Sequence, residues 1–181
     1  MVKRGLTFGL LTLLVYLLQA TVAKHIALWN VAPNIALAMI AIVTVALGRK
    51  YTFFMALTIG YLLEIMLPAL DYINLILLPA CAMLGALAFS DKSERKLEEE
   101  RSMGKRGGNL PAHIRTLLCA LLSIAIFEIV NLFYIYLNGI VIDGDQLQRA
   151  TISIVYTTAL AGVMQFPVRW WLGTYRLKKA R

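Results

Sequence analysis

Two acidic residues, Glu64 and Glu128, interrupt stretches of the chain that are otherwise apolar. A carboxylate is costly to place in hydrocarbon, so an acid within a transmembrane segment is by default a hypothesis of function. Asn131 follows Glu128 by one helical turn and shares its face of a helix. These residues suggest a polar pocket that binds a partner or a ligand. Ordinary hydrogen bonding between packed helices explains them equally well.

The motifs of common enzymes are absent from the sequence. There is no Gly-x-Ser-x-Gly turn, no phosphate-binding glycine loop and no His-Glu-x-x-His pattern. Cys81 and Cys119 fall in apolar stretches, where a free thiol behaves as a small hydrophobic group. No zinc-type spacing of Cys and His occurs. The sequence therefore predicts a protein that is not an enzyme and that uses no metal and no cofactor.

Six apolar stretches, separated by polar breaks, form the elements that must position these side chains. Every second break is basic, and together these breaks hold sixteen of the eighteen Lys and Arg residues. Because short basic loops stay in the cytoplasm, this distribution places both termini there. We predict an all-α integral membrane protein, one domain over 1–181, with six spans at about 5–22, 33–48, 51–67, 72–90, 116–136 and 150–172.

This topology sets the depth of the polar residues. Glu64 lies about 5 Å from the outer border and Glu128 about 20 Å above the cytoplasmic border, so both are expected in the outer half of the bilayer. His25 and His113 fall on opposite sides of the membrane and cannot act together. Proline is tolerated in a first helical turn, so the second helix is expected to begin near Pro33, with residues 26–31 at the outer interface.

The last span carries two further patterns. Thr151, Thr158 and Gln165 recur every seven residues and are expected to face protein or water rather than lipid. At its end, an aromatic and basic group predicts an anchor at the inner interface, formed by Arg169, Trp170 and Trp171.

The net charge of +8 could suggest nucleic acid, but its distribution is better explained by topology and by contact with anionic membrane lipid. We predict no nucleic-acid partner. The charged cytoplasmic loop 91–113 is interpreted as a solvated linker, with a docking site for a cytoplasmic partner as the alternative. The N-terminal stretch also resembles a cleavable secretory signal, but its length favours a retained span.

Four segments of the first half resemble the MreD family of bacterial rod-shape-determining membrane proteins. They read LLQAT at 17–21, PNIAL at 33–37, GRKY at 48–51 and ALTIGYLLEI at 56–65. The family usually has Pro-Asp in the second span and Gly-Phe-x-x-Gly-Leu-x-x-Asp in the third. Here Asn34 replaces the first acid, Ala56 replaces the first glycine and Glu64 replaces the second acid.

This resemblance implies a non-enzymatic subunit of the cell-elongation machinery in the bacterial cytoplasmic membrane. Its partner would be an MreC-like bitopic protein and, indirectly, a SEDS glycosyltransferase and a class B penicillin-binding protein. The family's fold is similar to the substrate-binding subunits of energy-coupling-factor transporters. A vitamin-type binding subunit of a transporter is therefore the alternative function. The resemblance selects Pro33, Asn34, Gly60 and Glu64 as pocket or partner residues, and the spans themselves add Glu128 and Asn131.

Overall fold

The computed structural model describes residues 2–66, 73–89 and 110–173, with side chains from Gly5 onward. This part of the chain is helical and has no β-strand. Helix α1 covers Val2–Leu17 and continues through a π-helical turn, Leu18–Val22, and a short α-helical turn, Ala23–His25. The other helices are α2 (Ile35–Leu47), α3 (Arg49–Met66), α4 (Ile73–Phe89), α5 (Ala112–Leu137) and α6 (Gly144–Trp171).

Three helical stretches are long and apolar enough to cross a membrane: Gly5–His25, Ala112–Leu137 and Gly144–Trp171. Two shorter helices, Ile35–Leu47 and Ile73–Phe89, are also apolar. Helix α3 begins with Arg49 and Lys50 and carries Glu64 near its end. The chain is thus an all-helical protein of membrane type over its described residues. The predicted boundaries at 67, 72 and 90 and most of the loop 91–113 lie outside those residues.

Helix α2 forms the centre of the bundle. It contacts all five other helices, which surround it in the order α1, α3, α4, α5 and α6. Its residues 35–45 are all buried. A helix that is apolar on every side is suited to a protein core or to a membrane, and α2, which carries no charged side chain, is covered by the other helices.

Consecutive helices run in opposite directions. Phe8 near the start of α1 contacts Tyr51 near the start of α3, with ring centroids 5.1 Å apart. The end of α6 lies beside the start of α5, because the Arg169 Nη2 donates to the Ala112 carbonyl oxygen at 3.0 Å. We call this end of the bundle the Arg169 end, and the opposite end, where α6 begins, the Asp143 end.

Small residues allow α4 to approach its neighbours closely. A Cβ added at Gly60 of α3 would lie 2.8 Å from the Asn74 carbonyl oxygen of α4. A Cβ added at Gly85 of α4 would lie 3.2 Å from the Cys119 sulfur of α5. Close approach through small residues is the usual means of helix association in membranes, where lipid supplies no hydrophobic driving force.

The connection from α1 to α2 contains a tight two-residue turn. Leu28 and Val31 exchange backbone hydrogen bonds of 3.0 and 2.9 Å. The two residues between them have positive φ angles, 49° at Trp29 and 63° at Asn30, as a type I′ turn requires. Asparagine tolerates this conformation, whereas it is strained for tryptophan. The Trp29 side chain is 83% exposed at this turn.

Candidate functional site

The first polar site lies at the start of α2. The Asn34 Oδ1 accepts a hydrogen bond from the Leu37 backbone N–H at 3.0 Å, which makes Asn34 the N-cap of the helix. The Gln19 Oε1 accepts a second bond, from the Ala36 backbone N–H, also at 3.0 Å. Two donors that a helix start normally leaves unsatisfied therefore have side-chain acceptors.

Two residues outside α2 connect this site to its neighbours. Gln19 belongs to the π-helical turn of α1, a local irregularity of the kind that often re-aims side chains at functional sites. On α6, the Thr157 hydroxyl oxygen accepts from the Asn34 backbone N–H at 3.0 Å. The next residue toward the Asp143 end, Tyr156, donates its hydroxyl to the Ile26 carbonyl oxygen at 2.8 Å. The start of α2 is thus held between α1 and α6.

The backbone donors at this helix start are all used within the protein. Besides the bonds donated by the Leu37 and Ala36 N–H groups, the Ile35 N–H donates to the Pro33 carbonyl and the Ala38 N–H to the Asn34 carbonyl, each at 3.1 Å. Pro33 is itself buried. The start of a helix attracts anions through free N–H groups and the helix dipole. Here the N–H groups already have protein acceptors, so the site serves first as a helix cap.

Gly60 and Glu64 form a second site, where α3 meets the start of α4. Both lie on one face of α3, and both are buried. Gly60 brings the two backbones together, and the Glu64 Oε2 accepts a hydrogen bond from the Asn74 backbone N–H at 3.2 Å. A carboxylate at a helix start satisfies an exposed donor and interacts favourably with the helix dipole. The structure therefore gives Glu64 a partner within the protein.

Glu128 forms a third site, between α5 and α6. Its carboxyl group lies close to the Ser153 hydroxyl of α6 and to the Asn131 side-chain amide of α5. Ser153 is buried, whereas Glu128 and Asn131 are half-buried. The two acids thus interact with different helices, since Glu64 contacts α4.

The burial of α5 ends one turn before Glu128. Ile124 is fully buried, whereas no side chain from residue 125 to residue 137 is, although Ile126 and Phe127 still pack against the core. The cause is the short central helix, because α2 begins beside Thr157. The thirteen residues from Thr157 back to Gly144 correspond to about 20 Å of α6 that extends past the start of α2. The last part of α5 runs beside this extended part of α6.

Arg169, Trp170 and Trp171 do not form one group. The tryptophans are 76% and 44% exposed, as expected of interface residues, but Arg169 is only 6% exposed. Its Nη2 donates to the Ala112 carbonyl and, at 2.8 Å, to the Thr116 hydroxyl oxygen. Consecutive helical residues point about 100° apart, so Arg169 faces α5 while Trp170 faces outward. Arg169 joins two helices instead of acting as a surface anchor.

Two other polar residues of the Arg169 end are buried. Arg115, whose burial was not expected from the sequence, is 5% exposed, and Gln165, which belongs to the predicted seven-residue repeat, is 3% exposed. The Gln165 Oε1 lies 3.3 Å from the His113 Nδ1. The His113 ring stacks on the Phe166 ring, with 5.4 Å between the ring centroids. Ser153 and Thr157 were missed as well, although their four-residue spacing together with Ala161 is a recognisable helix-contact pattern.

The described residues bring together no group of three His, Cys, Asp or Glu side chains that could bind a metal ion. Their polar sites are helix caps and contacts between helices, and Glu128 lies on a stretch of α5 in which no residue is buried. Comparison of the chain with protein-family models, with curated proteins and with solved structures found no match.

Proposed function

We propose that this protein is a non-enzymatic scaffold subunit of the bacterial cell-elongation complex. It crosses the cytoplasmic membrane six times, with the Arg169 end and both termini in the cytoplasm. It binds an MreC-like bitopic protein and, through it, a SEDS glycosyltransferase and a class B penicillin-binding protein. The resemblance of segments within residues 17–65 to the MreD family supports this identity, and the distribution of basic residues supports the orientation.

The observation that carries the scaffold role is the second half of α5, which the other described helices cover only in part. None of residues 125–137 is buried, and Glu128 lies on this stretch among apolar side chains. A helix surface that contains a carboxylate is poorly matched to lipid tails. It is well matched to a transmembrane helix that can supply a hydrogen-bond donor.

A vitamin-type binding subunit of a transporter is the second candidate. Transporter sites often use discontinuous helices, and α2 begins inside the bundle, at Asn34. In such sites a helix start offers free N–H groups to an anionic ligand. The N–H groups of α2 instead donate to Asn34, Gln19 and backbone carbonyls. This occupied cap favours the scaffold over the transporter.

Affinity purification of the tagged protein from native membranes in mild detergent tests the proposal. Mass spectrometry of the eluate should identify a bitopic coiled-coil protein together with cell-wall synthases. Recovery of an ATPase module or of a stoichiometric vitamin would instead establish the transporter function.

Two matched variants locate the partner surface. Ile129 on α5 and Val163 on α6 are both exposed apolar residues, at 64% and 69%. Ile129→Trp adds bulk beside Glu128 and should reduce recovery of the bitopic partner. Val163→Trp adds the same ring nearer the Arg169 end and should leave recovery unchanged. Equal recovery with both variants would place the partner elsewhere.

A further inference from the structure

We propose that Glu128 binds a cationic side chain, Lys or Arg, from the transmembrane helix of a bitopic partner. The cationic residue would lie in the outer half of that helix. This inference rests on the proposed scaffold function and adds the chemistry of the contact.

The first argument is the charge of Glu128. Its described partners, the Ser153 hydroxyl and the Asn131 amide, are both neutral. Within residues 2–66, 73–89 and 110–173, no Lys or Arg forms an ion pair with Glu128. The bases toward the Asp143 end, Lys24 and Arg149, are both exposed. An intramembrane carboxylate is stabilised by an opposite charge, which an additional helix can supply.

The second argument is the shape and polarity of the surroundings. Three large side chains of α5 lie exposed within about two turns of Glu128: Ile129 at 64%, Phe133 at 58% and Tyr136 at 62%. A small cation would gain nothing from this apolar surface. A transmembrane helix could cover it and place one charged side chain against the carboxylate.

The third argument is depth. Glu128 lies thirteen residues after Arg115, which is about 20 Å along α5. In a hydrocarbon layer about 30 Å thick, the carboxylate is then about 10 Å below the outer border. The long side chains of Lys and Arg reach polar surroundings from this depth with their apolar stems in lipid. The partner's basic residue is therefore expected one to two turns inside its outer border.

The experiment uses the full-length protein in zwitterionic phosphatidylcholine vesicles, with three designed single-span helices as probes. The helices share a leucine- and alanine-rich sequence with one variable position: Lys in the outer half, Lys in the inner half, or Leu. Energy transfer between labelled protein and labelled helix measures binding. We expect the helix with outer Lys to bind about tenfold more tightly than the other two.

Substitutions then assign this preference to Glu128. Glu128→Gln retains the shape and one acceptor oxygen of the side chain but removes the charge, and should abolish the preference. Asp145→Asn removes one acid from the same end of the bundle and should leave the preference intact. Glu128→Lys should bind a helix with outer Glu more tightly than one with outer Lys. This reversal would distinguish a charge contact from a loss of folding.

Equal binding of the outer-Lys and Leu helices would overturn the inference, as would a preference that persists in Glu128→Gln. Association of two copies of the protein through Glu128, with exclusion of the designed helices, would also overturn it. The scaffold function is judged separately. If Glu128→Gln still co-purifies with the bitopic partner and the synthases at wild-type yield, the scaffold stands and only the charge contact fails.

Discussion

The Glu64 Oε2 on α3 accepts a hydrogen bond from the Asn74 backbone N–H on α4, at 3.2 Å. One turn earlier on α3, Gly60 lies against the Asn74 carbonyl oxygen. The start of α4 thus contacts α3 through both the N–H and the carbonyl oxygen of Asn74. The pair Gly60 and Glu64, which the family resemblance selects for a pocket, has a direct structural role in joining two helices.

Substitution of Glu64 should reduce the stability of the fold when the new side chain cannot accept the hydrogen bond of the Asn74 N–H. Glu64→Leu leaves the Asn74 N–H without this partner in a partly buried position, and we expect the free energy of unfolding to fall by about 1–3 kcal/mol. Glu64→Gln keeps a side-chain oxygen and should lose less. Unfolding in mixed detergent micelles, followed by circular dichroism, measures both. Equal stability of Glu64→Leu and wild type would show that the hydrogen bond contributes nothing.

Gly60 should not tolerate even one additional methyl group. An alanine Cβ there would lie 2.8 Å from backbone oxygen, so α3 and α4 must separate. Overpacking of this kind costs about 1–3 kcal/mol, and Gly60→Ala should unfold at lower denaturant concentration than wild type. Gly9 on α1 is the control, since a Cβ there meets nothing within 4 Å. Gly9→Ala should be neutral or slightly stabilising, because alanine has the higher helix propensity.

The features that depend on local chain chemistry are those that the sequence predicts well. Helix α2 begins at Ile35, directly after Pro33 and Asn34, because a proline fixes the backbone before the helix and an asparagine side chain caps it. The apolar stretches also indicate the helices, because long apolar runs are needed to cross a bilayer.

The rotation of one helix about its axis relative to its neighbours cannot be predicted from local sequence. The repeat of Thr151, Thr158 and Gln165 predicts one face toward protein or water; Gln165 is buried, Thr158 is half-buried and Thr151 is exposed. The buried face of α6 contains Ala150, Ser153, Thr157, Ala161 and Gln165. The orientation of α6 depends on its contacts with α2 and α5, since the start of α2 donates to Thr157. For the same reason the burial of Arg169 could not be inferred from its neighbours in sequence.

The capping role of Asn34 can be tested by two substitutions. Asn34→Ala removes the acceptor for the Leu37 N–H and should reduce the free energy of unfolding by about 1–2 kcal/mol. Asn34→Asp retains an oxygen acceptor and places negative charge at a helix start, so it should be less destabilising than the alanine variant. Asn138 donates its side chain to the Tyr134 carbonyl at an exposed helix end and provides the control. Asn138→Ala should change stability much less than Asn34→Ala.

Arg169 should contribute to stability through geometry as well as charge. Arg169→Lys keeps the charge, but a single ammonium cannot reproduce the planar guanidinium that reaches both the Ala112 carbonyl and the Thr116 hydroxyl oxygen. We expect a loss of about 1–3 kcal/mol in the free energy of unfolding. Arg149 is exposed, so Arg149→Lys should have almost no effect. Similar losses for both variants would argue against a specific role for Arg169.

The orientation of the bundle is the prediction on which every depth depends. Reporter fusions within residues 91–109 should give a cytoplasmic signal, because this loop is dense in Lys and Arg. Fusions after Val141, which is 84% exposed between α5 and α6, should give an extracytoplasmic signal. The reversed pair of signals would move Glu128 to the cytoplasmic half of the bilayer. The bitopic partner would then need its basic residue near its cytoplasmic border, and the depth assigned to the designed helices would be wrong.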